Sequence, residues 1–88
     1  MRDIIIKFSN LMESKLASND HKDGWDKCTY EYLLRRLIEE VRELIEAIKL
    51  RNYQNVSKEA ADVANFAMMI ADKSWFDVKR KDGNEAKQ

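Results

Sequence analysis

The stretch Tyr30-Glu31-Tyr32-Leu33-Leu34-Arg35-Arg36-Leu37-Ile38-Glu39-Glu40-Val41-Arg42-Glu43-Leu44-Ile45-Glu46-Ala47-Ile48-Lys49-Leu50-Arg51 decides the fold. Leu33, Leu34, Leu37, Ile38, Val41, Leu44, Ile45 and Ile48 recur at the i, i+3, i+4, i+7 spacing of one face of an α-helix. At ~100° per residue the stripe centres on Leu37, Val41, Leu44 and Ile48. Thr29 or Asp26 can cap its start, and Glu31 suits its first turn. The segment from Arg51 to Asn55 breaks the pattern.

Two further helices flank this one. The spacing of Ile4, Ile5, Phe8, Leu11, Met12 and Leu16 predicts a helix from about Asp3 to Ala17. The polar run from Ser18 to Cys28, with Gly24 and several Asx residues, reads as a loop. A third helix is expected from about Val56 to Trp75, with Asn55 or Ser57 near its cap. From Asp77 to Gln88 nearly every residue is polar, so one domain over residues 1–76 and an unstructured tail over 77–88 are expected.

Composition narrows the class. The 88 residues include no proline, two glycines and one cysteine, which disfavours a turn-rich β fold and forbids an internal disulfide. No run approaches the ~20 apolar residues that span a bilayer, and Met1-Arg2-Asp3-Ile4 is charged too soon for a secretory signal. Sixteen basic and sixteen acidic residues give zero net charge, which argues against binding a nucleic-acid polymer. The expectation is an all-α, cytoplasmic protein of about three antiparallel helices per chain. The third helix is apolar on more than one side: Val63, Phe66 and Ile70 share a face, while Ala61, Ala64 and Met68 point elsewhere. Such a helix wants partners on both sides, so a homo-oligomer of the four-helix-bundle type, dimer or tetramer, is expected.

The acids stand in unusual places. Glu40 and Glu43, at i and i+3, flank the apolar stripe of the second helix, and Glu39 lies further round. On the third helix Glu59 projects into the apolar face, with Asp62 at its border. A carboxylate there is costly unless paired, protonated or bound to a cation. A short connection makes the helices antiparallel neighbours, so the two pairs face one another across a groove. Oxygen ligands select Mg²⁺, Mn²⁺ or Ca²⁺, and a carboxylate-held Mg²⁺ commonly also takes substrate phosphate. The bland alternatives are a solvated acidic face for Glu39, Glu40 and Glu43 and a structural salt bridge for Glu59.

Glu39-Glu40-Val41-Arg42-Glu43, then fifteen residues, then Glu59-Ala60-Ala61-Asp62 resembles the E-E-x-x-E…E-x-x-D signature of MazG-like nucleotide pyrophosphohydrolases, an all-α superfamily that includes dimeric dUTPases and dCTP pyrophosphatases. The likeness extends from about Trp25 to Lys73. It implies cleavage of a nucleoside triphosphate between the α and β phosphates, giving the monophosphate and pyrophosphate, in the manner of nucleotide-pool house-cleaning. It implies Mg²⁺ as cofactor, with Mn²⁺ as a substitute, held by Glu40, Glu43, Glu59 and Asp62. Glu39 and Glu40 are the implied catalytic acids, Glu39 binding a further ion or orienting the attacking water.

Further candidates follow for the substrate. Trp25 stands where related enzymes can place an aromatic against the base, or it closes the loop over the core. Asn65 can bond a sugar or base, or serve the surface. Lys73 can meet a phosphate, or complement the helix dipole. Arg36, a turn before Glu40, can pair with it or with phosphate. His21 reads as a solvated loop residue, Cys28 as a small core or loop residue, Met68 and Met69 as interface filler, and Lys79-Arg80-Lys81 as a solubilising run. A tandem second domain is not expected, so a neighbouring subunit is expected to complete the site. The competing class is a non-catalytic helical oligomerisation or regulatory module that keeps an acidic metal-binding groove.

Overall fold

The structure, a computed structural model, describes residues 1–18 and 24–86, the last five by their backbone alone. The described residues are helical, with no strand among them: α1 (Asp3–Ala17), a 3₁₀ turn (Trp25–Lys27), α2 (Tyr30–Lys49) and α3 (Tyr53–Ala86). The Thr29 side chain accepts a hydrogen bond from the Tyr32 amide at 3.1 Å, so of the two candidate caps Thr29 starts α2.

The connection between α2 and α3 is a three-residue turn, Leu50–Asn52. Arg51 adopts a left-handed backbone (φ 55°). Its amide bonds the Ile48 carbonyl, and the Asn52 amide bonds the Ala47 carbonyl, which is the Schellman arrangement that closes a helix. Asn52 then accepts from the Asn55 amide at 3.3 Å and opens α3. The expected start at Val56 is therefore corrected to Tyr53, because Asn52, not Asn55 or Ser57, supplies the cap.

The expected unstructured tail is also corrected, since α3 continues through Ala86. Lys79, Arg80 and Lys81 are helix-tolerant, and Asp77 is held in place. It accepts the Tyr30 hydroxyl hydrogen bond at 2.6 Å and lies 3.7 Å from the Lys73 ammonium. His21 lies outside the described residues.

Tyr30 begins α2 and meets Asp77 far along α3, so these helices run antiparallel. α1 also packs on α3: Asn65 Nδ2 donates to the Met12 carbonyl at 3.1 Å and Lys15 lies 3.4 Å from Asp62. The rising numbers on α1 meet falling numbers on α3, so α1 runs antiparallel to it as well. The long α3 is thus the common wall against which α1 and α2 are laid.

The core is small. Leu33, Ala47 and Ala61 are its buried apolar residues. Leu33, Glu40 and Ala47 form a seven-residue row, and this row, not the expected Leu37–Val41–Leu44–Ile48 centre, is the inward seam of α2. Leu34, Ile38, Ile45 and Ile48 lie on the outer part of the stripe and are exposed. The molecule measures 56 × 30 × 24 Å with a radius of gyration of 15.7 Å. A compact chain of this length would have roughly 12 Å.

Candidate metal centre

The hairpin geometry decides which acids meet. Glu43 lies about two helical turns before the Leu50–Asn52 turn and Glu59 about two turns after it, so the antiparallel pairing sets them level. Glu40, one turn further from the bend, occupies the middle of the inward seam and is only 8% exposed. Carboxylate oxygens of Glu40, Glu43 and Glu59 all lie within 4.8 Å of one another. Glu59 is half-buried and Glu43 stands at the exposed mouth.

Glu40 Oε2 and Glu59 Oε2 are buried and have no hydrogen-bond partner. Orphaned buried acceptors of this kind cost about 1–3 kcal/mol each. Burial, followed by the close Glu43 carboxyl and then the Asp62 charge, pushes the Glu40 carboxyl up to about 7, against a smaller opposing pull from Arg36. Burial also raises Glu59, with help from Glu43 and Asp62, and Lys15 opposes it. The nearby cations are committed elsewhere in part. Arg36 Nη1 pairs with Glu39, and its Nη2 reaches Glu40 Oε1 only at 3.4 Å. Lys15 lies 3.4 Å from Asp62.

The donor set is oxygen only, carries excess negative charge and holds two unsatisfied buried acceptors. Those properties fit a hard divalent cation and do not fit a thiolate- or imidazole-seeking metal. Asp62 stands beside the cluster without belonging to the three acids that meet within 4.8 Å. Glu39 is also outside it and is half-exposed against Arg36.

A cavity of about 530 Å³ opens next to the acids. Glu40 and Asp62 form one part of its wall, and Arg36, Asn65, Phe66 and Trp25 continue it toward the start of α2. The structure therefore brings Trp25, Arg36 and Asn65 together beside the acids. Trp25 Nε1 donates to Asp72 at 2.9 Å, which turns the indole against α3. The Arg36 guanidinium lies 5.1 Å from the centre of the Phe66 ring.

Lys73 is not among the lining residues. It sits over the Tyr30 ring at 4.9 Å and beside Asp77, fourteen residues past Glu59 and thus roughly 21 Å along the helix. With α3 running to Ala86, Lys73 is not a last-turn cation either.

Sequence reasoning missed Lys15, Tyr32 and Phe66 as cavity residues. Lys15 belongs to α1, and nothing in its own periodicity says which side of α3 receives α1. Phe66 was read as core because its spacing matches Val63 and Ile70, although it also follows Asp62 by one turn and could have been placed beside the acids.

No helix among the described residues is long and apolar enough to cross a membrane. The family described as the MazG nucleotide pyrophosphohydrolase domain matches residues 28–81. An uncharacterized protein of Archaeoglobus fulgidus is 36% identical over 69 residues, covering 73% of this chain and 74% of that protein. No solved structure matches significantly.

Proposed function

The chain belongs to the MazG nucleotide pyrophosphohydrolase family, and from that premise we propose that it is a Mg²⁺-dependent pyrophosphohydrolase of nucleoside triphosphates. The reaction opens the bond between the α and β phosphates and yields a nucleoside monophosphate and pyrophosphate. The observation that carries this reading is the meeting of Glu40, Glu43 and Glu59 within 4.8 Å, with two buried oxygens orphaned, at the edge of a cavity of nucleotide size.

Glu40, Glu43 and Glu59 hold Mg²⁺, or Mn²⁺ in its place, and Asp62 completes the set from the next turn of α3. The bound ion supplies charge neutralisation for the phosphate oxygens and lowers the pKa of water. Arg36 is positioned by Glu39 and Glu40 and offers a cation to phosphate at the cavity wall. Glu39, on the exposed side of Arg36, orients the attacking water or a further ion. Phe66 and Trp25 provide flat apolar surface for the base and exclude water from it. Lys15 lies 3.4 Å from Asp62 and balances part of its charge at the cavity wall.

Self-association belongs to the same proposal. Leu34, Ile38, Ile45 and Ile48 leave one apolar face of α2 exposed, and Ile4 and Ile5 leave another on α1. The elongated shape and small core match a chain that completes a four-helix bundle with a second copy. We place the protein in the cytoplasm as a nucleotide-pool enzyme acting as a homo-oligomer.

The test is a panel of NTPs and dNTPs with Mg²⁺, read by pyrophosphate release. Pyrophosphate formation that disappears in Glu59→Gln supports the reading. No turnover of any nucleotide, with no effect of Mg²⁺ on thermal stability, supports a non-catalytic oligomerisation or regulatory module instead.

A further inference from the structure

Trp25 stands on a segment too short to fix its side chain. The 3₁₀ turn Trp25–Lys27 buries none of its residues and has no side-chain cap at its start. The Cys28 amide closes it by donating to the Trp25 carbonyl at 2.9 Å, which orders the backbone and leaves the side-chain torsions open. Tryptophan has one polar handle, the indole N–H, and it only donates. That handle reaches across to α3, where Nε1 donates to Asp72 Oδ2 at 2.9 Å. The bond joins residues 47 positions apart, so it ties the turn to the long helix rather than to its own neighbours.

The tie also sets the level of the ring along the groove. Asp72 follows Asp62 by ten residues, roughly 15 Å along α3. The indole therefore stands at the end of the cavity remote from the acids, where Tyr32 and Met69 also line the wall. With the phosphates of a nucleotide at the acidic end, the base arrives at this aromatic end. Stacking needs the ring in one orientation. Without Asp72 the N–H would bond water from several rotamers, and the nucleotide would have to order the ring as it binds, at a cost in affinity. Asp72 is exposed and does not line the cavity, so it acts through Trp25 and not on the substrate.

We infer that Asp72 is a positioning residue that holds the Trp25 indole in place as the platform for the nucleotide base, an assignment that rests on the nucleotide-binding reading above. Its effect is on binding alone. The acids that meet around the metal lie beyond Asp62, so the chemical step does not sense the tie. Loss of an interaction made equally in the ground state and the transition state raises KM and leaves kcat unchanged.

The experiment is steady-state pyrophosphate release by the full chain with Mg²⁺, using the nucleotide turned over best among dATP, dCTP, dGTP and dTTP. Asp72→Leu removes the acceptor and is expected to raise KM about fivefold to tenfold while kcat stays within about twofold. Asp72→Asn keeps a carbonyl oxygen for the indole and is expected to stay within about twofold of the wild-type KM. Trp25→Phe keeps a ring but has no N–H, so it is expected to raise KM by a factor similar to that of Asp72→Leu. Adding Asp72→Leu to Trp25→Phe is expected to change KM no further, because the group through which Asp72 acts is already gone. A merely structural role for Asp72 would lower kcat and the thermal midpoint equally in both backgrounds.

An unchanged KM in Asp72→Leu, a rise in Asp72→Asn as large as in Asp72→Leu, or a further full rise in the double variant overturns the positioning role. Trp25→Phe with the wild-type KM overturns it as well, even where Asp72→Leu does not fold. Each of these outcomes leaves the enzymatic reading standing, since the wild type still releases pyrophosphate. No release by the wild type from any of the nucleotides sinks that reading and the role of Asp72 with it.

Discussion

Replacing Glu40 by Gln should stabilise the metal-free protein, and the gain should grow with pH. Gln is close to the protonated carboxyl in shape and keeps an acceptor for Arg36, but it never ionises. The folded Glu40 carboxyl is raised from 4.5 to about 7, chiefly by burial and then by Glu43. The sign follows from that direction. The folded state holds the proton more tightly, so the wild type has this stability in full below pH 4.5 and loses it as pH rises through about 7. The shift sets an upper limit of about 3 kcal/mol, and partial access of water trims it to about 2.

Glu40→Gln should therefore melt with nearly the wild-type midpoint at pH 4.5 and roughly 10 °C above it at pH 8. Circular-dichroism melts in chelator across that range provide the assay. Adding Mg²⁺ at pH 8 should narrow the gap, because the ion stabilises the wild type by binding its ionised carboxylates. A variant less stable than wild type at pH 8, or a gap independent of pH, would refute the picture of a crowded and buried carboxylate.

Other expectations follow from the same geometry. Glu59→Gln and Asp62→Asn should each abolish pyrophosphate release while leaving the far-ultraviolet spectrum unchanged; retained activity in Glu59→Gln removes that residue from the metal set. Trp25→Ala should weaken nucleotide binding by about 1–3 kcal/mol, visible as a raised KM, if the indole meets the base. Arg51→Gly should raise stability by about 1 kcal/mol in denaturant titrations, because the left-handed φ of 55° at this position suits glycine. The double change Ile38→Asp and Ile45→Asp should lower the mass seen in sedimentation, since these residues share the uncovered face of α2.

The helices were legible because their signals are local. The bounds of α1 were read as Asp3–Ala17 and observed so, and α2 was misjudged only in its last turn. Thr29 was one of two capping candidates, and the Tyr32 amide decided between them. The start of α3 was missed because Asn52 caps through a turn that also needs Arg51 in a left-handed conformation, a choice more usual for glycine. The far end of α3 was missed because polar composition suggested no packing, whereas the Tyr30–Asp77 bond spans 47 residues and has no sequence signature.

The acidic groove was legible from the placement of Glu59 together with the Glu40–Glu43 spacing. Its inner balance was not. Projection put Glu40 on the flank of the stripe, but α3 packs to that side, so Glu40 became the buried member and Ile48 the exposed one. Helical period ranks faces by apolarity; it does not say which part of a wide apolar arc a single neighbour will cover. The remaining arc, with Ile38 and Ile45, stays exposed for the same reason. The role of Met12 in fixing the Asn65 amide depends on the packing of α1, which no spacing on α3 encodes.

The most direct test of the central claim is ³¹P nuclear magnetic resonance of a deoxynucleoside triphosphate incubated with the purified chain and Mg²⁺. The account predicts loss of the triphosphate signals with equimolar growth of a nucleoside monophosphate and pyrophosphate, abolished by chelator and by Glu59→Gln. A nucleoside diphosphate with inorganic phosphate, or an unchanged spectrum across the full set of bases, would contradict it.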